Sequence, residues 1–443
     1  MTLLDLSREL LCEVAQNLHS ESDLNAFART NRLLYQLTNP LLYNHNIQCS
    51  NDSALLWAAK HGKESTVCKL LEKRAWIDPS MRRLDEAFVL AAEAGYRSIA
   101  DRLLSEGANV NFKITKGANA NALQAACSEG HESVVKMLLD KGADVNTQGG
   151  FYGNALYAAS SKGYKQIVKI LLNEGADVSA EGGKYGNALQ AASVEGHEQI
   201  VKVLLSNGAD ANTQDGEYGN ALQAASAEGH EQIVNILLDK GADVNAQGGF
   251  YGNALQAASR GSHEQIVKIL LDHGAKVNVQ GGFYGCVLQA ASAGGRVQIV
   301  EMLLNQGADV NAHGGYFSSA LHAASSGGYE QIVKILLDKG ADVSAQGGEY
   351  GNALQAASAK GYMQVVKMLL NTDVNVNSQG GIYNTALQAA SAEGHEQIVK
   401  ILLDKGAEVN TQGGPYGSAL QAASSRERKR VIELLLEYGA NAN

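Results

Sequence analysis

The chain has 443 residues, 45% hydrophobic and only 19% charged, so it buries far more surface than a disordered polymer and exceeds what one hydrophobic core usually supports. A repeat array or several domains are therefore expected. Its formal charge of -10 carries no acidic or basic tail, which excludes capture by nucleic acid or anionic lipid through a net field, and no apolar run approaches the ~20 residues of a membrane span.

Five cysteines, Cys12, Cys49, Cys68, Cys127 and Cys286, are scattered without CxxC spacing, so neither a disulfide framework nor a zinc site is expected. The opening MTLLDLSRELL is broken by charge after four residues, which argues against a secretory leader. A soluble protein of a reducing compartment, cytoplasmic or nuclear, is the expectation.

Residues 1–48 come first and differ from the rest. Leu10, Leu11, Val14 and Leu18, then Leu24 and Phe27, then Leu33, Leu34 and Leu37 fall at helical spacing, predicting three short amphipathic helices broken near Ser20 and Pro40. Leu6, Glu9, Leu10, Leu11, Leu18, Asp23, Leu24, Asn31, Arg32, Pro40 and Leu42 follow a pattern that resembles the F-box, the helical motif that docks receptors onto the adaptor subunit of SCF (cullin-RING) ubiquitin ligases. Ser7 stands where that family prefers proline, although a serine there still caps a helix. The resemblance implies an adaptor-binding surface of Leu6, Glu9, Leu10, Leu11, Leu18, Leu24, Pro40 and Leu42. The alternative is that these helices only cover the apolar end of the next segment.

From residue 49 to 443 the chain repeats. The string NALQAAS or a variant recurs with its leucine at Leu123, Leu156, Leu189, Leu222, Leu255, Leu288, Leu321, Leu354, Leu387 and Leu420, a step of 33 residues, after two degenerate copies around Leu55 and Phe88. Twelve units follow, at 48–80, 81–115, 116–148 and then every 33 residues to 413–443. Within one unit, Asn187 and Gln190 make a capping-box pattern that starts a helix, and Gly196 ends it. Ile200, Val201, Val203, Leu204 and Leu205 give the next helix one apolar face, and Gly208 closes it. The stretch ADANTQDGEYGN is rich in turn formers and must reverse the chain. No unit buries its apolar face alone, so stability comes from stacking.

The period, the Gly-His pairs Gly196-His197, Gly229-His230 and Gly394-His395, the IVKILL core and the closing GADVN resemble the ankyrin repeat. That resemblance implies an all-α solenoid of about twelve helix-turn-helix/hairpin units. NALQ stands for the family's TPLH, and a tyrosine column (Tyr152, Tyr185, Tyr218, Tyr251, Tyr284, Tyr350, Tyr383, Tyr416, with Phe317) replaces the usual hairpin glycine. This column predicts a stacked aromatic ladder. Arg74 and Asp373 stand where glycine usually closes the second helix, and loosening is expected at both because the left-handed conformation is costly for them.

No catalytic site, cofactor or metal is expected. His131, His197, His230, His263 and His395 recur in register, but on helices roughly 8 to 10 Å apart they cannot share an ion that binds nitrogen at about 2.0 to 2.1 Å. The GGFYGN loops lack a phosphate-binding lysine pattern, and nucleophile or metalloprotease motifs are missing. The run Arg426 to Arg430 reads as the polar face of a terminal repeat. Positions that vary among near-identical units are the ones free to serve recognition. They lie at the hairpin (Phe250, Phe283 and Tyr316 in three successive units) and late in the first helix, where Gly261, Gly294 and Gly327 occupy the same units beside residues such as Arg260. The resemblance places both sets on a concave binding face. An aromatic-rimmed, uncrowded patch for an apolar protein segment is the expectation, with neutral variation as the alternative. The functional reading is a ligase substrate receptor whose repeats select an unknown protein target. An interaction scaffold is the alternative, and a metal- or nucleotide-dependent enzyme is a third, weaker class.

Overall fold

A computed structural model describes residues 53–74, 83–114 and 119–441. The F-box-like segment and its predicted adaptor-binding residues lie outside them. The chain divides into two compact units, one ending at Lys184 and one beginning at Tyr185, each built from helix pairs.

The first unit contains α1 (Ser53–Lys60), α2 (Glu64–Arg74), α3 (Leu84–Glu93), α4 (Arg97–Ser105), α5 (Ala122–Glu129), α6 (Glu132–Asp140), α7 (Ala155–Ser161) and α8 (Lys165–Asn173). The second contains eight further pairs: α9 (Ala188–Val194) and α10 (Glu198–Ser206), α11 (Ala221–Glu228) and α12 (Glu231–Asp239), α13 (Ala254–Gly261) and α14 (Glu264–Asp272), α15 (Val287–Ala293) and α16 (Val297–Asn305), α17 (Ala320–Gly327) and α18 (Glu330–Asp338), α19 (Ala353–Lys360) and α20 (Met363–Leu370), α21 (Ala386–Glu393) and α22 (Glu396–Asp404), α23 (Ala419–Ser425) and α24 (Lys429–Glu437). The expected repeat architecture is present, and among the described residues short hairpin bridges recur between pairs, from Gly149 with Gly153 to Gly380 with Asn384.

Local chemistry sets the helix limits. In α9 the Asn187 side chain accepts from the Gln190 amide at 3.0 Å, while the Gln190 side chain accepts from the Asn187 amide at 2.9 Å, satisfying two donors that a helix start otherwise orphans. Asn121, Asn220 and Asn352 cap their helices with the first of these two bonds, accepting from the Gln124, Gln223 and Gln355 amides. First helices end at a left-handed residue, as at Gly130 and Gly229. Second helices have no side-chain cap, but most begin with glutamate, which suits the positive end of the helix dipole.

In the second unit the first helices pack in series from α9 through α11 and α13 to α23, as do the second helices from α10 to α24. Ala191, Ala192, Ala224 and Ala225 of the first helices are fully buried, as are Leu204, Leu237 and Leu270 of the second helices. Methyl side chains on the first helix let backbones approach, while a buried leucine in each first helix, such as Leu189 and Leu222, and the aliphatic face of each second helix supply the larger apolar burial.

The left-handed conformation from which loosening at Asp373 was expected is not adopted. Asp373 does not take a positive φ; α20 stops at Leu370, and Thr372 closes it by donating its backbone amide (3.0 Å) and its hydroxyl (2.6 Å) to the Leu369 carbonyl. The left-handed penalty is thereby avoided. Arg74 ends α2 at the edge of the described residues. Left-handed strain at non-glycine positions falls instead on Ser262, Ser318, Asn384 and Glu427.

Candidate partner-binding surface

The hairpins begin and end in short bridges such as Gly248 with Gly252 and Gly281 with Gly285. Their paired glycines are a packing requirement. Gly282, at φ +66, lies against the Tyr251 carbonyl group so closely that a Cβ would collide with backbone, and Gly249 and Gly315 repeat this against Tyr218 and Tyr284. Close approach lets the tips bond to each other. The Phe250 amide donates to the Glu217 carbonyl (3.0 Å), Phe283 to Phe250 (2.8 Å) and Tyr316 to Phe283 (2.9 Å); the run resumes with Ile382 donating to Glu349 (2.9 Å).

This ladder fixes the side chains above it. Phe250 stacks on Phe283 at 5.0 Å and Phe283 on Tyr316 at 4.9 Å, with the planes within 18° of parallel. The three rings nonetheless stay 45%, 38% and 40% exposed, so they form an apolar ridge that is partly open among the described residues. Behind it runs the predicted tyrosine ladder: Tyr218, Tyr251, Tyr284 and Phe317 stack at 6.2, 6.3 and 6.4 Å, and Tyr350, Tyr383 and Tyr416 at 6.3 and 5.7 Å. Each front ring meets the ring behind it edge to face, as Phe283 does Tyr284 at 5.1 Å.

The two variable sets meet through the tyrosines. Tyr218 donates to Glu228 (2.6 Å) and Tyr383 to Glu393 (2.5 Å), Arg426 donates to Tyr416 (2.8 Å), and Lys360 lies 5.3 Å from the Tyr350 ring centre. The charged residue in each case is ten positions after its tyrosine. Where that position is glycine, the pattern changes: Tyr284 accepts from Arg260 of the preceding repeat (2.9 Å), and Gly327 accompanies Phe317, which has no hydroxyl to satisfy. Burial and the Glu228 carboxylate push the Tyr218 hydroxyl well above its ordinary value, and Tyr316, whose hydroxyl donates to Glu349, is pushed up to about 12.

The glycines do not leave the patch open. The His263 ring lies where a Cβ on Gly261 would stand, the Tyr329 ring does the same at Gly327, and Gly294 is buried with its Cβ position 3.0 Å from the Arg260 carbonyl oxygen. The expected uncrowded floor is corrected to one filled by the side chain two residues on. Arg260, Phe250, Phe283 and Tyr316 do come together on one face.

The recurrent histidines hold repeats together. His131, His230, His263 and His395 each place Nε2 against a carbonyl of the preceding first helix, at 2.9 to 3.1 Å. Two stitching columns went unread in the sequence. Gln190 Nε2 donates to Asp215 and Gly219 carbonyls of the next hairpin (2.9 and 3.1 Å). Asn278 donates to the Gly307 carbonyl and accepts from the Asp309 amide, both at 2.9 Å. Invariance beyond what capping needs was the available signal for the glutamine.

Among the described residues no group of histidine, cysteine and acidic side chains is arranged to hold a metal, and no helix is long and apolar enough to cross a membrane. The profile of the family described as Ankyrin repeats (3 copies) matches overlapping windows from residue 55 to 443. The chain belongs to the ankyrin-repeat family. It is also similar to the Drosophila melanogaster protein "Ankyrin repeat and KH domain-containing protein mask", 34% identical over 102 residues, which is 23% of this chain and 2% of that protein. Ankyrin repeats bind protein partners, and a face of exposed side chains on a hydrogen-bonded backbone is the physical form such recognition takes.

Proposed function

We propose that this ankyrin array is the target-selecting arm of an SCF-type ubiquitin ligase receptor, with residues 1–48 as the adaptor-binding module and 49–443 as the recognition array. The observation that carries the recognition half is the ridge of Phe250, Phe283 and Tyr316, pre-stacked and exposed. Rings already held in place lose little rotamer freedom on binding, so the contact area they offer is gained at low entropic cost. The adaptor half rests on Leu6, Glu9, Leu10, Leu11, Leu18, Leu24, Pro40 and Leu42 in the sequence pattern. Catalysis would belong to partners. Buried, unpaired Cys127 and Cys286 favour a reducing compartment, cytoplasm or nucleus.

Two measurements separate this from an interaction scaffold. The full chain is titrated with the SCF adaptor subunit beside L10D/L11D; micromolar or tighter binding that the double substitution abolishes, with the repeats still folded, supports the receptor. No binding by the intact chain leaves the scaffold. Independently, F250A/F283A/Y316A is expected to lose partner affinity at least ~10-fold, the range of aromatic hot spots, and unchanged affinity would remove the ridge from the binding face.

A further inference from the structure

The ridge has unlike ends. On the side of the lower-numbered repeats, Glu195, Glu217 and Glu228 are all exposed, and the charges of Glu217 and Glu228 both act on the Tyr251 hydroxyl beneath the ridge. Glu228 already accepts from Tyr218 and keeps its negative charge in doing so. On the other side, Glu349 accepts from the Tyr316 hydroxyl and lies within the field of Lys360, which itself sits over Tyr350. The Arg260 guanidinium, bonded to Tyr284, also acts on the Tyr251 hydroxyl, so the first end carries three carboxylates around one cation already held by a tyrosine, whereas at the other end Glu349 and Lys360 balance.

Backbone pairing does not recruit a partner here. The Phe250, Phe283 and Tyr316 amides and the Glu217, Phe250 and Phe283 carbonyls are spent on the inter-hairpin ladder. The ring faces between neighbours are likewise covered by stacking, so ring edges and the two terminal faces are what a ligand meets. Recognition must then run through apolar contact with the ridge and through charge at its end.

We infer that the occupant is an apolar peptide segment with basic residues on one side only, its lysines or arginines over Glu195, Glu217 and Glu228 and its apolar stretch along Phe250, Phe283 and Tyr316. This rests on the ridge being the binding face. The asymmetry gives the segment a direction, since the reversed orientation sets its charge beside Lys360 instead. Interfacial charge of this kind governs orientation and on-rate more than bulk affinity.

The test is selection of a random twelve-residue peptide display library on the full-length chain, on F250A/F283A/Y316A and on E195K/E217K. Enrichment of peptides that join an apolar stretch to a one-sided Lys/Arg cluster, absent on the triple-alanine chain and replaced by Asp/Glu-flanked peptides on the charge-reversed chain, is the expected result. Apolar peptides that need the three rings but show no basic bias would overturn the inference while leaving the ridge intact. Enrichment indifferent to the three rings would remove both. Binding of a selected synthetic peptide to unaltered protein supplies a control free of mutation: its affinity is expected to fall several-fold between about 50 mM and 500 mM salt as screening shortens the reach of the charges, and salt-independent binding would count against it.

Discussion

Replacing His322 with glutamine tests whether the amide column, and not merely a helix propensity, holds one repeat to the next. His322 occupies the glutamine position of α17, is 1% exposed, and neither ring nitrogen meets a partner in hydrogen-bond geometry. The Phe317 and Tyr350 rings flank it edge-on at 6.2 and 6.4 Å. Burial holds its pKa down at about 4 against an ordinary 6.5, with the Phe317 backbone and Glu349 opposing weakly. A folded-state pKa below the unfolded one means that the unfolded chain binds the proton first as pH falls. Stability is therefore intact above about pH 6.5 and lost on the way down to about 4, by some 2 kcal/mol between pH 7.5 and pH 5 and about 3 kcal/mol in full. Glutamine has no such titration and at the equivalent position reaches forward, as Gln355 does to the Ser378, Gly380 and Asn384 carbonyls at 3.1, 3.2 and 2.7 Å. His322→Gln is thus expected to stabilise by about 1 kcal/mol at neutral pH through regained hydrogen bonding and by more at pH 5. Urea midpoints at the two pH values, with hydrogen exchange of residues 314–379 to localise the change, read this out. Equal acid sensitivity in the two proteins would refute the reasoning.

Three further outcomes follow from the same geometry. Gly282→Ala forces a Cβ onto the Tyr251 backbone, whereas Gly274→Ala at φ +85 meets nothing within 4 Å; the second is expected to cost about 1 kcal/mol and the first clearly more, with equal melting shifts counting against the close-approach argument. Asn278→Ala removes both bonds to the next repeat, costing about 1 to 2 kcal/mol, and speeds exchange of the Asp309 amide; an unchanged amide would show that the bridge is not formed in solution. Ser262→Gly relieves a left-handed serine at φ 76 and is expected to raise stability by about 1 kcal/mol, as a thermal melt would show.

What could be read directly from the sequence was whatever depends on one repeat. The Asn187 and Gln190 capping box, the left-handed Gly196 and the apolar face of Ile200, Val201 and Leu204 are all set by residues within a few positions of each other. The tyrosine ladder was also legible because a 33-residue period aligns like with like. Hydrogen bonds and side-chain filling between repeats were not. Asn278 looks like one more turn residue until the register of the next repeat puts the Gly307 carbonyl beside it. Gly261 and Gly327 read as open space because a missing side chain says nothing of the ring two residues on that takes its place. Asp373 was judged by an assumed helix end, and the chain instead ended the helix earlier.

The inter-repeat columns also explain where the array is weakest. The forward-reaching asparagine is replaced by serine at Ser179 and Ser344, and both serines bond back to the aspartate of their own repeat, Asp177 and Asp342, at 2.6 Å. The Ser344 hydroxyl, shorter than an asparagine amide, does not span to the next repeat. In the same two repeats the forward-reaching glutamine is also lost, to Tyr157 and to His322. In the second, the tip ladder passes from Tyr316 to Glu349 through a side-chain bond in place of the backbone one, and Ser318 takes a left-handed φ of 68. Stability in a linear array is a sum of repeat and nearest-neighbour terms, so losing several interface terms together makes one junction the first to open. Hydrogen exchange is expected to be faster across 314–379 than across 248–313, and His322→Gln combined with Ser344→Asn to narrow that difference more than either alone. If the two segments exchange alike, the columns are ornaments of the stack and the packed leucines alone hold it.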